Sequence, residues 1–154
     1  MIKEKYLGTY MKTARLFAEH SSAVRKKVGA VIVKDDRIIS IGYNGMPSGW
    51  DNECEKRVYT LTQHADFLDE DGSSYNIVTK DEVLHAESNA IAKLAKSSES
   101  GDGASMFITC SPCIECAKMI YQSGIKEVFY GEEYRDSKGI EFLNKCGVDV
   151  RNID

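Results

Sequence analysis

Two short stretches of the chain carry side chains that can bind a metal and move protons. The first holds His85 and Glu87, and the second holds Cys113 and Cys116. Imidazole nitrogen and thiolate sulfur are ligands that zinc prefers, and catalytic zinc keeps three protein ligands and leaves its fourth position to water. The sequence therefore predicts a catalytic zinc ion bound by His85, Cys113 and Cys116, with Glu87 as the proton carrier beside the bound water.

The spacing of the two cysteines fits a helix. Residues three apart lie on one helix face about one turn apart, so Cys113 and Cys116 can bind the same ion. Pro112 is predicted at the first helical position, where the helix dipole also favours thiolates. A second run of helical periodicity starts at His85, and Glu87 is predicted to point away from the direction of that histidine. The apolar members of this run are Ala86, Ala90, Ile91, Leu94 and Ala95.

Two other interpretations of the cysteine pair are less specific. A lone Cys-x-x-Cys is often a redox pair or half of a structural zinc site. The remaining cysteines, Cys54, Cys110 and Cys146, form no second Cys-x-x-Cys among themselves, and a redox motif would leave the histidine and the glutamate unexplained. The paired motif therefore favours catalytic zinc.

The pattern of apolar residues predicts the elements that position these side chains. Apolar residues recur at helical spacing over 3–20, and Ser21 and Ser22 are expected to end this first helix. β-Branched runs over 28–33 and 38–41, separated by a short polar segment, predict a hairpin. The later elements are predicted strands over 105–109, 125–130 and 148–151 and a short helix over 137–144. Strands that alternate with helices indicate a mixed α/β sheet with helices on both faces.

Composition limits the classes of partner. The chain has 154 residues, of which 42% are hydrophobic and 29% are charged, as expected for one globular domain. Its net charge of −4 argues against a nucleic-acid partner, because binding to phosphate backbones depends on clustered Lys and Arg. No apolar run approaches the length of a membrane span, so no membrane partner is expected. The odd count of five cysteines fits a reducing compartment, and a cytoplasmic location is predicted.

The zinc motif lies within longer segments that resemble a known family. These segments are 85–91 (HAESNAI), 111–118 (SPCIECAK), 28–33 (VGAVIV), 41–47 (IGYNGMP) and 123–128 (SGIKEV). They resemble the two zinc helices, the first hairpin, the substrate loop and the next strand of the deoxycytidylate (dCMP) deaminases of the cytidine deaminase superfamily. The resemblance implies a three-layer α/β/α cytidine-deaminase-like fold with a mixed five-stranded sheet. It covers most of a single domain, 1–154, except a variable insertion at about 51–84.

The resemblance also implies an activity and contacts for the substrate. The expected reaction is the zinc-dependent hydrolysis of dCMP to dUMP and ammonia, which would supply dUMP for thymidylate synthesis. By resemblance, Asn44 hydrogen-bonds the sugar, while the Ala86 backbone N–H and the Ser111 backbone carbonyl bind the pyrimidine edge. Tyr130 or Tyr134 could stack on the ring, although either could equally be a core or surface aromatic.

Regulation and assembly are expected by the same resemblance. The loop Gly42, Tyr43, Asn44 and Gly45 resembles the place where dCTP (activator) or dTTP (inhibitor) binds with Mg²⁺ in nucleotide-regulated members. Enzymes of this kind are often hexamers, so a homo-oligomer is expected.

Several alternatives stay open at this point. The 5′-phosphate could be bound by Arg25, Lys26, Lys96 or Arg135, and the basic run that starts at Arg25 could equally be a solvated patch. Cys54 and His64 could belong to a second, structural zinc site, but 22–24 contains no cysteine to complete it, which favours packing or surface roles for both.

The same zinc chemistry would serve a cytidine, cytosine or tRNA adenosine deaminase. A non-catalytic nucleotide sensor stabilised by zinc is the alternative from another class.

Overall fold

The computed structural model describes residues 2–62 and 64–154. Its helices are α1 (Glu4–Ala18), α2 (Ala86–Leu94), α3 (Ile114–Gln122) and α4 (Lys138–Lys145). Its strands are β1 (Gly29–Lys34), β2 (Arg37–Tyr43), β3 (Glu55–Tyr59), β4 (Phe67–Leu68), β5 (Ser74–Thr79), β6 (Ser105–Cys110), β7 (Glu127–Glu132) and β8 (Asp149–Asn152). The predicted elements are all present, with ends that differ by one to a few residues.

The main sheet has five strands in the order β2-β1-β6-β7-β8. Strand β1 is antiparallel to both of its neighbours, whereas β6, β7 and β8 are parallel. Helix α1 packs on one face, and α2, α3 and α4 contribute to the core on the other. This arrangement confirms the predicted three-layer α/β fold with a mixed five-stranded sheet.

The central strand β1 shows how the sequence produces two cores. Successive side chains of a strand point to opposite faces of the sheet. Ala30 and Ile32 face the core beneath α2, while Val31 and Val33 face the core beneath α1. All four are fully buried. A strand covered by helices on both faces therefore appears in the sequence as an uninterrupted apolar run.

The turn between β1 and β2 has the geometry expected of a tight hairpin. Asp35 and Asp36 have φ values of 50° and 59°. A type I′ turn requires positive φ at both central residues, and aspartate tolerates that conformation better than most side chains. The predicted hairpin is therefore confirmed, with a two-residue loop.

The segment at about 51–84 contains a second sheet that the sequence analysis did not predict. Its three antiparallel strands have the order β3-β5-β4. An exposed turn joins β4 to β5, and there the Asp69 side chain accepts hydrogen bonds from the N–H groups of Asp71 and Ser73. Side chains of these strands are exposed or half-buried. Because neither face is deeply buried, the strands leave little of the apolar alternation that reveals a strand.

None of the helices within the described ranges is both long enough and apolar enough to span a membrane.

Candidate metal centre and active site

The predicted metal ligands meet where two helices begin. His85 and Cys113 are the residues that immediately precede α2 and α3, and both have extended backbone conformations. Cys116 follows in the first turn of α3. Pro112 was expected at the first helical position, but the extended backbone of Cys113 places it outside the helix. The proline therefore lies in the connection between β6 and α3.

The distances between the ligand atoms fit one zinc ion. The Nδ1 atom of His85 lies 3.3 Å from the Sγ atom of Cys116 and 3.7 Å from that of Cys113. Tetrahedral zinc with ordinary bond lengths separates a nitrogen and a sulfur ligand by about 3.6 Å. All three ligand atoms lie within 4.8 Å of one another, and no other such group of three occurs among residues 2–62 and 64–154. The three side chains could therefore hold zinc and leave its fourth position to water.

Hydrogen bonds within this group favour a thiolate. Bonds from the Cys116 thiol and the His85 imidazole lower the pKa of Cys113 to about 4. The interaction with Cys113 raises the pKa of Cys116, and burial acts in the same direction. The hydrogen bond to Cys113 also raises the pKa of His85. Metal binding must displace these shared protons, because zinc binds thiolates and neutral imidazole.

Glu87 is a buried carboxylate beside the three ligands. The residue is only 4% exposed, and it lines the same cavity as His85 and Cys113. Desolvation disfavours the charged carboxylate and raises the pKa of Glu87 to about 7 from its ordinary value of 4.5. A carboxyl group with a pKa near neutrality can both accept and donate a proton, as a proton carrier must.

The end of β2, with Gly42 and Tyr43, and the residues that follow it hold the start of α2 in place. Gly45 and Leu84 exchange backbone hydrogen bonds of 3.1 Å and 2.8 Å. The Asn89 side chain donates to the Tyr43 carbonyl at 2.8 Å. Gly42 lies directly against the helix, because an added Cβ would overlap the Ala86 carbonyl oxygen and lie 2.7 Å from the Ala90 nitrogen. Hydrogen bonds therefore hold the backbone after β2 against Leu84, the residue immediately before His85.

Replacing Gly42 with alanine should lower the free energy of unfolding by about 1–3 kcal/mol, because the new methyl group forces α2 away from β2. The shift should also reduce zinc content, since α2 carries Glu87 and follows His85. Thermal unfolding and metal analysis test both effects. The control is Gly8→Ala at an exposed position of α1, where an added Cβ meets nothing within 4 Å. If Gly42→Ala were as stable as this control, the close packing of Gly42 against α2 would not contribute to the free energy of unfolding.

Two of the candidate metal ligands, His85 and Cys113, line a cavity of about 560 Å³ together with Glu87, whereas Cys116 is buried behind them. The other residues lining it are Ala23, Arg25, Lys26, Val28, Asn44, Glu55, Val78, Thr79, Val83, Ala86, Cys110, Ser111, Tyr134 and Arg135. Four of these residues belong to the segment at about 51–84. Sequence analysis missed their contribution, since nothing in their local pattern relates them to the zinc motif.

The structure brings most of the predicted substrate contacts to this cavity. Asn44, Ala86, Ser111 and Tyr134 line it, whereas Tyr130 is a buried residue of β7 that is not among the lining residues. The Asn44 side chain is also fixed by the backbone, because it accepts from the Val28 N–H and donates to the Lys26 carbonyl, both at 2.8 Å. Of the two tyrosines proposed for stacking, only Tyr134 has access to the cavity.

The four candidate phosphate ligands differ in position. Arg25, Lys26 and Arg135 line the cavity, whereas exposed Lys96 follows α2 and does not. Lys26 forms an ion pair with Glu132 at 2.7 Å. No carboxylate of the described residues lies within 4.0 Å of the guanidinium groups of Arg25 or Arg135. Among the cations that line the cavity, Arg25 and Arg135 are therefore the two whose charge no carboxylate of the described residues pairs with, so both are available to bind an anionic ligand.

The two residues weighed for a second zinc site lie in different surroundings. Cys54 is buried next to β3, where burial raises the pKa of its thiol. His64 is exposed in the connection between β3 and β4.

Residues 5–132 match the family model described as the cytidine and deoxycytidylate deaminase zinc-binding region. Curated relatives include the deoxycytidylate deaminase of Enterobacteria phage T4, 34% identical over 171 residues, with 95% of this chain and 89% of that protein covered. The deoxycytidylate deaminase of Homo sapiens is 40% identical over 150 residues, with 94% and 77% covered.

Among solved structures, the chain is similar to the dCMP deaminase from the cyanophage S-TIM5, determined in complex with dCMP and dUMP. The two are 45% identical, with a TM-score of 0.83, and the match covers 99% of this chain and 100% of that chain.

Proposed function

The chain belongs to the cytidine and deoxycytidylate deaminase family, and we propose that it is a hydrolase that converts dCMP and water to dUMP and ammonia. The observation that carries this proposal is the buried Glu87 carboxylate, which lines one cavity with His85 and Cys113, two members of the group of three candidate zinc ligands that Cys116 completes. The cyanophage relative that binds dCMP and dUMP supports the choice of substrate.

The metal and the carboxylate would have separate tasks. Zinc held by His85, Cys113 and Cys116 would lower the pKa of water from about 15.7 toward 7, which makes a nucleophile available at neutral pH. Glu87 takes the proton of the attacking water and delivers it to ring nitrogen 3 as the bond to carbon 4 forms. Glu87 then transfers the remaining proton of that water, from the hydroxyl now bonded to carbon 4, to the departing amine, so that the carbon 4 carbonyl forms and ammonia leaves as the C–N bond breaks.

Backbone groups at the two helix starts would orient the base. The N–H groups of the first turn of a helix have no acceptor within the helix, so the N–H of Ala86 is available to the cytosine carbonyl. The carbonyl of Ser111 would accept from the exocyclic amine. The Ser111 side chain is already used, because its Oγ accepts the Tyr134 N–H at 2.7 Å. That bond holds Tyr134 at the cavity, where its ring would stack on the base.

The sugar and phosphate would extend toward the open side of the cavity. Asn44 would hydrogen-bond the sugar. Arg25 and Arg135 would bind the 5′-phosphate, because neither guanidinium group has a carboxylate partner within the described part of the chain, and arginine suits phosphate geometry.

The test of the proposal compares dCMP, CMP, deoxycytidine and cytosine as substrates of zinc-loaded protein. We expect turnover of dCMP, followed by ammonia release or by the ultraviolet change on deamination. Turnover of only the nucleoside or free base would keep the zinc chemistry and contradict the phosphate contacts. No turnover of any of the four would contradict the proposed reaction and favour a nucleotide sensor or a tRNA substrate.

The remaining proposals concern the cellular setting of this reaction. We propose that it supplies dUMP for thymidylate synthesis and that the enzyme is a cytoplasmic hexamer. We also propose that dCTP and dTTP, each with Mg²⁺, regulate the enzyme by binding at Gly42, Tyr43, Asn44 and Gly45. The contact of this loop with Leu84 and α2 supports regulation, because a ligand there would act on the segment that carries His85. The five free cysteines support a reducing compartment. Addition of dCTP or dTTP with Mg²⁺ to the dCMP assay tests regulation, and sedimentation tests the assembly.

A further inference from the structure

The second sheet contacts the main domain through Glu55, the first residue of β3. One oxygen of its carboxylate accepts two backbone hydrogen bonds, from the N–H of Val24 at 2.9 Å and from the N–H of Arg25 at 3.1 Å. Hydrogen bonds to a charged acceptor are stronger than those between neutral groups. Glu55 therefore fixes the backbone of the connection between α1 and β1 at the point where it passes the cavity.

The strand next to Glu55 fixes the side chain of the same arginine. Thr79 of β5 is the cross-strand partner of Glu55. Its hydroxyl accepts a hydrogen bond from Nη1 of Arg25 at 3.3 Å. Glu55 and Thr79 both line the cavity. One pair of neighbours in the second sheet thus holds both the backbone and the guanidinium group of Arg25.

This contact leaves the charge of Arg25 available. A carboxylate on the guanidinium group would neutralise it, but Glu55 bonds the backbone of Arg25, and the group itself contacts only a neutral hydroxyl in the described residues. The neighbouring Lys26 differs, since it is paired with Glu132. The arrangement therefore orients a cation toward the cavity without compensating its charge.

We propose that Glu55 and Thr79 are positioning residues that hold Arg25 for the 5′-phosphate of the substrate, so that the second sheet determines the preference for a nucleotide over a nucleoside. This inference rests on the proposed deamination of dCMP. It assigns a function to the segment at about 51–84, which carries none of the predicted ligands of the catalytic zinc.

Because Glu55 is negatively charged, the sign of the change in KM for dCMP on removing Glu55 distinguishes two possible roles. A carboxylate at the cavity would by itself repel a phosphate, so its removal should improve dCMP binding if Glu55 acted only through its charge. If Glu55 acts through Arg25, its removal should weaken dCMP binding. The two roles predict opposite changes in KM.

The experiment measures kcat/KM for dCMP and for deoxycytidine in zinc-loaded variants, and compares their ratio. Glu55→Ala should lower this ratio about ten-fold or more, mainly through a higher KM for dCMP, because two charge-assisted hydrogen bonds are lost. Glu55→Gln keeps an acceptor oxygen and should retain most of the ratio. Thr79→Val should lower the ratio less than Glu55→Ala, since it removes one longer bond.

A double-mutant cycle separates positioning from general damage. In an Arg25→Ala background, which should itself lower the ratio, Glu55→Ala should cause no further loss, because the residue that it positions is gone. Glu70→Ala is the matched control, since Glu70 is an exposed glutamate in the β4–β5 turn of the same sheet. It should leave the ratio unchanged.

Three results would overturn the inference. They are an unchanged or increased ratio in Glu55→Ala, an equal loss with both substrates, and an additive loss in the Arg25→Ala background. Failure of the underlying function looks different, because zinc-loaded wild-type protein would then not deaminate dCMP at all.

Discussion

Replacing Glu87 with glutamine should lower kcat for dCMP by about 10²–10⁴-fold, which is the contribution expected of a positioned proton carrier. Glutamine has nearly the same shape as glutamate, so the buried position beside the ligand group stays filled. An amide cannot take up the proton of the attacking water. The proposed zinc ligands His85, Cys113 and Cys116 are unchanged, so zinc content should stay at the wild-type level.

The measurement is kcat for dCMP together with zinc content by elemental analysis. Glu115→Gln is the matched control, because Glu115 lies in the first turn of α3 but pairs with Lys118 at the exposed surface. The control should keep nearly full activity. Near-wild-type activity in Glu87→Gln would show that another group carries the proton.

Replacing Cys113 with serine should remove bound zinc, abolish turnover and lower the melting temperature together. At zinc concentrations one thousand times Kd, zinc binding contributes about 4 kcal/mol of stability. For a domain of this size, its loss corresponds to a fall of about 8–16 °C. Cys113 immediately precedes α3, and serine is among the best residues at such a position. Poorer helix capping would therefore not explain a loss of stability in this variant.

Removing zinc from the wild-type protein with a chelator separates the loss of metal from other effects of the substitution on stability. It should lower the melting temperature of the wild-type protein to about that of Cys113→Ser and leave the variant unchanged. Cys146→Ser is the control, because Cys146 follows α4 and lies outside the ligand group. It should keep one zinc per chain. Full zinc content in Cys113→Ser would remove this residue from the ligand set.

The sequence predicted the elements of the main domain well because their signals are local. Strand β1 is buried on both faces and appears as a continuous apolar run, and the hairpin turn is marked by adjacent aspartates. The predicted ends were less accurate at Pro112, where the extended conformation of Cys113 delays the start of α3. The second sheet was missed, since its half-exposed strands have neither a buried face nor a clear alternation.

By itself, the sequence determined the ligand types, their spacing and their association with helix starts, because three residues of separation define one helical turn. Only the tertiary structure decided which side chains share the cavity. Burial in the folded protein raises the pKa of Glu87. Packing also placed Tyr134 at the cavity and Tyr130 in the core. It brought Glu55 into contact with Arg25, which lies 30 residues away in the sequence. These contacts join segments far apart in the chain, and their distances depend on how helices and sheets pack, which no local pattern encodes.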